Sequence, residues 1–187
     1  DGSEEEIRAR YPWVSVLQNG ENLGYAEGNN RGIRWALNRG VDFVFIINND
    51  TKIHKDCVRK LVETAERNPS YGILGPVAFD YEEKSPLASG FMLDWNTHER
   101  FPLKAVKGET VLDQEREIFP VGVVQGDGFF VRRSVFEKVG LFDPRFFLMH
   151  EESDFCLKAK RQGFEVGIVR DARFMRMNAA TIGAGSP

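Results

Sequence analysis

The sequence predicts an α/β fold in which a mostly parallel sheet is flanked by helices. Residues 43–47 are consecutive apolar residues followed by polar ones, which is typical of a strand buried on both faces. Strand, helix, strand, helix and strand signals alternate over residues 13–79, and this order favours parallel strands joined by right-handed crossovers. The 187 residues are enough for one domain with a substantial core.

Local signals predict each element of the first half. Apolar Ile33, Ala36 and Leu37 have the spacing of one helix face, and Gly40 supplies a left-handed stop. A second apolar face that ends before Pro69 predicts another helix. The predicted elements are a strand at 13–18, a Gly/Asn-rich turn at 20–28, a helix at 29–39, a strand at 43–47, a helix at 54–68 and a strand at 71–79.

The second half begins with a polar segment, residues 80–117, that has no sustained period. A loop of this length inside a compact domain is usually functional or mobile. We expect one domain over residues 1–177 and a flexible tail of small residues at 178–187. The predicted elements are strands at 91–93, 101–103, 121–125, 128–132 and 165–169, with helices at 134–139 and 152–162.

Composition and charge narrow the class of protein. The content of 42% hydrophobic and 28% charged residues is ordinary for a soluble globular protein. A formal charge of −3 without a long basic run gives no reason to expect nucleic acid. Cys57 and Cys156 lie far apart in predicted helices, which favours buried free thiols in a reducing compartment. No apolar run is long enough to span a bilayer, and no signal peptide precedes the first element.

The first chemical candidate follows the predicted strand at 43–47, where Asn48, Asn49, Asp50 and Thr51 stand in succession. In open α/β sheets the carboxyl end of such a strand faces the ligand crevice. A carboxylate there is well placed to hold a hard divalent cation against a phosphate. The alternative is an ordinary exit from strand to turn, because Asn and Asp are favoured turn residues.

The second candidate is the acidic start of the last predicted helix, with Glu151, Glu152 and Asp154. Adjacent carboxylates diverge on a helix, so one can face a cleft while the other turns away. One of them, desolvated by Phe146, Phe147 and Phe155, would have a raised pKa and could serve as a general base. The alternative is purely electrostatic: acids stabilise a helix N-terminus, and Asp154 can pair with Lys158.

Taken together, the ordered motifs resemble a family 2 glycosyltransferase of the GT-A fold, and most of all its bacterial rhamnosyltransferase-like subgroup. The resemblance covers residues 1–182, nearly the whole chain. The motifs that carry it are residues 22–33 (NLGYAEGNNRGI), 47–51 (INNDT), 126–133 (GDGFFVRR), 139–147 (VGLFDPRFF) and 151–155 (EESDF).

The resemblance implies inverting transfer of a sugar from a nucleotide-diphosphate-sugar donor to an acceptor hydroxyl. By position, Asp50 would bind Mg²⁺ or Mn²⁺ that bridges the donor diphosphate and stabilises the charge of the leaving group. Glu152 lies where the family's base is usually placed, beside Glu151. Because inversion is a single in-line displacement, one base is sufficient and no enzyme nucleophile is required.

The resemblance also implies substrate contacts for Gly28, Asn30, Asn48, Asn49 and Asp127. The segment around Gly28 and Asn30 could contact the nucleotide-sugar, or it could simply cap a helix. Asp127 could touch the sugar or acceptor, or it could belong to a β-bulge. For the arginine pair at 132–133 we favour a solvent-facing role over a phosphate contact.

Two departures from the family's pattern are visible. Family members usually begin with an apolar strand that holds the nucleoside base, and the chain starts after that point, so we expect a fold truncated at the N-terminus. The family often carries a His that approaches the metal, whereas residues 174–177 of this chain contain none. An inactive relic and, with less support, a nucleotidyltransferase therefore remain alternative functions.

The expected partners are a nucleotide-sugar donor and a glycan or lipid-linked acceptor, as in polysaccharide biosynthesis. The expected location is the cytoplasm, which leaves open peripheral association with the inner face of the membrane. A free sheet edge where the missing strand belonged would favour a homodimer.

Overall fold

A computed structural model describes residues 2–82, 86–87, 89–93, 100–102 and 115–176. The predicted tail at 178–187 and most of the polar segment at 80–117 lie outside the described residues. Among those described, no helix is both long and apolar enough to cross a membrane.

Five helices are present in the described part of the chain. The helix at Cys57–Arg67 buries Cys57, Leu61 and Ala65 along one stripe, and this spacing fixes which side faces the sheet. The predicted helices are all found, with ends shifted by up to a few residues, and a short polar helix precedes them. The helices are α1 (Ser3–Arg10), α2 (Gly24–Leu37), α3 (Cys57–Arg67), α4 (Arg133–Val139) and α5 (Glu151–Arg161).

The strands form a mixed sheet and a smaller three-stranded one. The large sheet has the order β1-β8-β3-β9-β2, with β6 also paired to β9, and the small one has the order β5-β4-β7. The strands are β1 (Phe43–Ile47), β2 (Thr51–Ile53), β3 (Tyr71–Asp80), β4 (Gly90–Leu93), β5 (Arg100–Pro102), β6 (Ile118–Pro120), β7 (Val123–Val124), β8 (Gly128–Arg132) and β9 (Glu165–Arg176).

The α/β class is confirmed, but the prediction of a mostly parallel sheet is wrong. Strand β8 lies between β1 and β3 and is antiparallel to both. Only β3 and β9 form a parallel pair in the large sheet. Because β1 and β3 are both antiparallel to β8, they run in the same direction as each other and as β9. Their carboxyl ends therefore meet at one edge, as the strand–helix alternation predicted.

The predicted strand at 13–18 is also wrong. This segment has no ladder partner among the described residues, and Trp13 is 77% exposed. An apolar segment becomes a strand only when a neighbouring strand satisfies its backbone groups, which its own sequence cannot guarantee. Conversely, the short β2, which ends just before the predicted helix start at 54, was not predicted; it forms because Lys52 and its neighbours pair with the end of a longer β9.

The core fills both faces of the large sheet. Neighbouring residues on a strand point to opposite faces, so Phe129 and Phe130 of β8 belong to two separate clusters. Helix α3 covers the cluster that contains Phe130, while α2, α4 and α5 contribute to the other. Both cysteines are buried as predicted and form no disulfide with each other, and burial raises the pKa of Cys57 to about 12.

Candidate active site

A crevice of about 300 Å³ lies at the edge of the large sheet where β1 and β9 end. Asn48 follows β1 directly, and Arg176 is the last residue of β9. The start of β8 and the start of α5 form the remaining walls. The described residues that line the crevice are Tyr25, Asn48, Phe91, Gln125, Gly126, Asp127, Leu148, Met149, His150, Glu151, Glu152 and Arg176.

A tight turn carries Asp50 at the border of this crevice. The backbone N–H and the Oγ1 hydroxyl of Thr51 both donate to the carbonyl of Asn48, at 3.4 and 2.7 Å. Thr51 in turn lies opposite Arg176 in the β2–β9 ladder. Asn49 is exposed and Asp50 is half-buried; of this turn only Asn48 is among the described residues that line the crevice.

The donor set at this turn suits a cation that is shared with a phosphate. In the described part of the chain, no group of three or more His, Cys, Asp or Glu side chains is arranged to hold a metal alone. Mg²⁺, however, is commonly bound by one or two carboxylates together with substrate phosphates and water. Asp50 with the amide of Asn48 fits this second mode and does not form a dedicated metal cage.

Both glutamates at the start of α5 line the crevice. Glu151 is only 4% exposed, whereas Glu152 is half-buried. The two residues before them, Met149 (φ 76°) and His150 (φ 74°), have left-handed backbone conformations, which are uncommon for residues other than glycine. The chain thus turns sharply into the helix, and this turn directs the first helical side chains toward the crevice.

The third acid of this helix has a different role. The carboxylate of Asp154 lies 2.7 Å from the ammonium of Lys158, which confirms the predicted i, i+4 ion pair. Asp154 is not among the residues that line the crevice. Side chains diverge along a helix, so Glu151 and Glu152 line the crevice, whereas Asp154 lies outside it and forms an ion pair with Lys158.

The three phenylalanines that were expected to desolvate an acid, Phe146, Phe147 and Phe155, are not among the described residues that line the crevice. Phe147 is 57% exposed, and Phe155 lies fully inside the core. The ring of Phe155 packs against Phe129, Phe136 and Phe142 with centroids 4.9–6.0 Å apart. The clustered phenylalanines thus build the packing beneath the crevice instead of an aromatic lining.

Tyr25 is a crevice residue that the sequence did not identify. Its hydroxyl donates to the carbonyl of Gly126, which ties α2 to the start of β8. Burial, assisted by the charges of Glu152, Glu151 and Asp127, raises the pKa of Tyr25 well above its usual range. The phenol therefore stays protonated and acts as a donor. The sequence contained one indication, because Tyr25 lies inside the motif at 22–33. The spacing of Tyr25 from other polar residues, however, does not by itself indicate a chemical role.

The motif at 22–33 fastens α2 to the loop before α5. The Asn22 side chain accepts from the N–H of Gly24, and the N–H of Tyr25 donates to the carbonyl of Phe147. Asn30 is 1% exposed, and its amide both donates to the carbonyl of Phe142, at 2.9 Å, and accepts from its N–H, at 3.0 Å. These bonds hold the loop in register with the helix.

Two of the predicted substrate contacts are therefore corrected. Asn30 is buried and its amide bonds the backbone of Phe142, so it serves the fold; because it lies inside α2, the alternative of a helix cap is also wrong. Gly28 does not line the crevice either; a Cβ placed there would meet only the side-chain nitrogen of Asn19, at 3.8 Å. Asn48 and Asp127 do line the crevice, and Asn49 is the exposed neighbour of Asn48.

Gly24 is required at this junction for two reasons. Its φ is +70°, and an added Cβ would lie 2.3 Å from the carbonyl oxygen of Phe147. We expect Gly24→Ala to lower the free energy of unfolding by about 3 kcal/mol, because left-handed strain adds to displacement of the loop. The matched control is Gly20→Ala, with φ +78° and open space around its Cβ, which should cost only about 1 kcal/mol. Urea unfolding of both variants measures the difference, and equal losses would contradict this account.

The charged side chains at the two ends of β8 have different roles: those at its end bond to neighbouring helices, and the one before its start lines the crevice. Arg132 donates to the carbonyl of Ala65 in the last turn of α3, and Arg133 donates to that of Leu37, where α2 ends. Arginines at these positions satisfy carbonyls that a helix end leaves unpaired, so neither meets phosphate. Asp127 instead forms an ion pair with Arg176 inside the crevice, and its backbone lies in the turn before β8 and not in a β-bulge.

Comparisons with known proteins show the family and the fold of this chain. A family model described as glycosyl transferase family group 2 matches residues 43–184. The hexosyltransferase Agl10 of low-salt glycan biosynthesis from Haloferax volcanii is 30% identical over 159 residues, covering 82% of this chain and 48% of that protein. An N-acetylglucosaminyl-diphospho-decaprenol L-rhamnosyltransferase from Mycobacterium tuberculosis is 29% identical over 209 residues, covering 98% of this chain and 65% of that protein.

The chain thus spans about half to two thirds of the length of these relatives. Among solved structures, GalNAc-T7 with UDP, GalNAc and Mn²⁺ superposes with a TM-score of 0.70 at 16% identity, over 95% of this chain and 35% of that one. At this identity the likeness concerns the fold alone, and it confirms the GT-A fold.

Proposed function

Because this chain belongs to glycosyl transferase family group 2, we propose that it transfers a sugar, with inversion, from a nucleotide-diphosphate-sugar to an acceptor hydroxyl. One observation carries the proposal: Asn48, at the start of the turn that contains Asp50, lines the same crevice as Glu151 and Glu152. A group that stabilises a departing diphosphate and a group that accepts a proton are thereby available to one bound substrate pair.

The chemistry follows from these positions. Glu152 takes the proton of the acceptor hydroxyl, and the acceptor oxygen attacks the anomeric carbon while the bond from that carbon to the diphosphate oxygen breaks. Glu152 is the better base candidate because it is half-buried and can be reached by an incoming acceptor, whereas Glu151 is 4% exposed. Mg²⁺ or Mn²⁺ held by Asp50 would supply Lewis-acid stabilisation of the leaving diphosphate.

The remaining crevice residues would bind the substrates. Asn48, with Asn49 at its border, offers amide donors and acceptors next to the metal-binding turn, and Asp127 can accept a hydrogen bond from a sugar hydroxyl. Tyr25 keeps the floor of the crevice fixed through its bond to Gly126.

The relatives suggest the class of acceptor. One is named for transfer to a diphospho-decaprenol carrier and the other for glycan biosynthesis, so we propose a lipid-linked or glycan acceptor. Such a carrier would bring the enzyme to the cytoplasmic face of a membrane as a peripheral protein.

A product assay tests the proposed function. The chain is incubated with Mn²⁺, a UDP-, GDP- or dTDP-sugar and a lipid-linked or glycan acceptor, and in parallel with a nucleoside triphosphate and a sugar 1-phosphate. Released nucleoside diphosphate and pyrophosphate are measured separately. We expect nucleoside diphosphate from at least one donor, because the bond that breaks joins the sugar to the diphosphate. Pyrophosphate as the product would indicate nucleotidyl transfer, and neither product together with no nucleotide binding would indicate an inactive relic.

A further inference from the structure

Arg176 is the one arginine or lysine among the described residues that line the crevice. The other charged side chains there include three acids, Asp127, Glu151 and Glu152. A donor diphosphate brings further negative charge into the same space, and the repulsion between like charges at a few ångströms amounts to several kcal/mol at an effective dielectric constant of about 20. A fixed cation in the crevice is therefore significant for any phosphate ligand.

The position of Arg176 places its charge near the metal-binding turn. It lies opposite Thr51 in the β2–β9 ladder, and Thr51 directly follows Asp50. The side chain of Arg176 is only 20% exposed. Its guanidinium thus sits at the carboxyl edge of the sheet, on the strand next to the turn that carries the candidate metal ligand.

Asp127 keeps this guanidinium in place. The two side chains form an ion pair through Oδ2 of Asp127, and the carboxylate is only 12% exposed. Oδ1 of the same carboxylate is buried and has no hydrogen-bond partner among the described residues. A guanidinium presents its N–H donors in a planar fork, a geometry well suited to phosphate oxygens.

We propose that Arg176, oriented by Asp127, binds the diphosphate of the donor and neutralises part of its charge without a metal ion. This inference rests on the proposed function and adds a phosphate-binding residue to it. The cation near Asp50 and the guanidinium of Arg176 would then share the charge of the leaving group from neighbouring strands. Nucleotide binding should consequently have a component that persists when divalent cations are removed.

The two members of the ion pair should respond in opposite directions. Arg176→Ala removes a charge-assisted contact and should weaken nucleoside diphosphate binding about tenfold or more in the absence of metal. Asp127→Asn keeps an amide oxygen that can accept from the guanidinium and so preserves its orientation, but it removes a competing negative charge, so binding should become about threefold tighter. A purely structural ion pair would weaken binding, or leave it unchanged, in both variants.

Calorimetric titration measures these effects directly and does not depend on turnover. The probes are UDP, GDP, dTDP and inorganic pyrophosphate, each titrated in EDTA and again with Mn²⁺. The matched control is Arg170→Ala, because Arg170 is also on β9, also pairs with a neighbouring aspartate (Asp171), and does not line the crevice. Thermal unfolding of every variant identifies any loss of fold, and Arg176→Lys, which keeps the charge without the planar fork, should show an intermediate affinity.

The outcomes are separable. Weaker binding in EDTA for Arg176→Ala, with Arg170→Ala unchanged, supports the inference. Equal affinity of the original chain and Arg176→Ala in both conditions overturns it, while nucleoside diphosphate release in the product assay would leave the proposed function standing. If both Arg176 variants fail to fold, Asp127→Asn decides: tighter binding supports the inference, and unchanged or weaker binding overturns it. If the original chain binds none of the probes even with Mn²⁺, the proposed function fails and this inference fails with it.

Discussion

Replacing Asp50 by alanine is expected to abolish the Mn²⁺-dependent part of nucleotide binding and to lower kcat/KM roughly 100-fold or more. The reason is the donor set. Asp50 is the carboxylate of the turn after β1, and in the described part of the chain no three-residue metal cluster could replace it. The turn itself should persist, because its hydrogen bonds join Thr51 to the backbone of Asn48 and do not involve the aspartate side chain.

Titration of a nucleoside diphosphate with and without Mn²⁺ checks this expectation. The variant should bind equally in both conditions, with the affinity that the original chain shows in EDTA. Asp42→Ala is the matched control, since Asp42 is an exposed aspartate at the opposite end of the same strand and only its backbone carbonyl is used, by the N–H of Arg133. An Mn²⁺ response in Asp50→Ala as large as in the control would remove Asp50 from the metal site.

Features that depend on short stretches of chain could be predicted from the sequence. The strands at 43–47 and 128–132 have the predicted bounds, and helix α5 begins one residue before its predicted start. Apolar runs, capping glycines and acidic first turns act over a few residues, so they are visible in the linear order. The resemblance to family 2 glycosyltransferases, carried by ordered motifs, is confirmed by the family match.

Features that depend on distant partners could not be predicted. Nothing near residues 128–132 indicates that this strand inserts between β1 and β3 and makes the sheet mixed. Asn30 was predicted to contact the substrate because its real partner, the backbone of Phe142, lies 112 positions away and cannot be identified from the linear sequence. Arg176 and Asp127 are far apart in the sequence. They form an ion pair because β9 ends beside the start of β8 in the fold.

Glu152→Gln is expected to reduce turnover by about 10²–10⁴-fold while leaving donor affinity unchanged. Glutamine has nearly the same shape and can still accept a hydrogen bond at its carbonyl oxygen, but it cannot take a proton from the acceptor hydroxyl. Donor binding depends on the turn with Asp50 and on crevice residues outside α5, so calorimetry with a nucleoside diphosphate and Mn²⁺ should give the original affinity.

Glu151→Gln, measured beside it, decides which of the two acids is the base. Glu151 is 4% exposed, so its replacement should act mainly on the stability of the start of α5 and on turnover only modestly. Glu137→Gln on α4, whose side chain is 61% exposed, controls for the loss of one carboxylate charge at the surface. Retained turnover in Glu152→Gln with loss in Glu151→Gln would transfer the role to the buried acid. Retained turnover in both would mean that neither carboxylate accepts the proton, because an in-line displacement requires one base within hydrogen-bond reach of the acceptor.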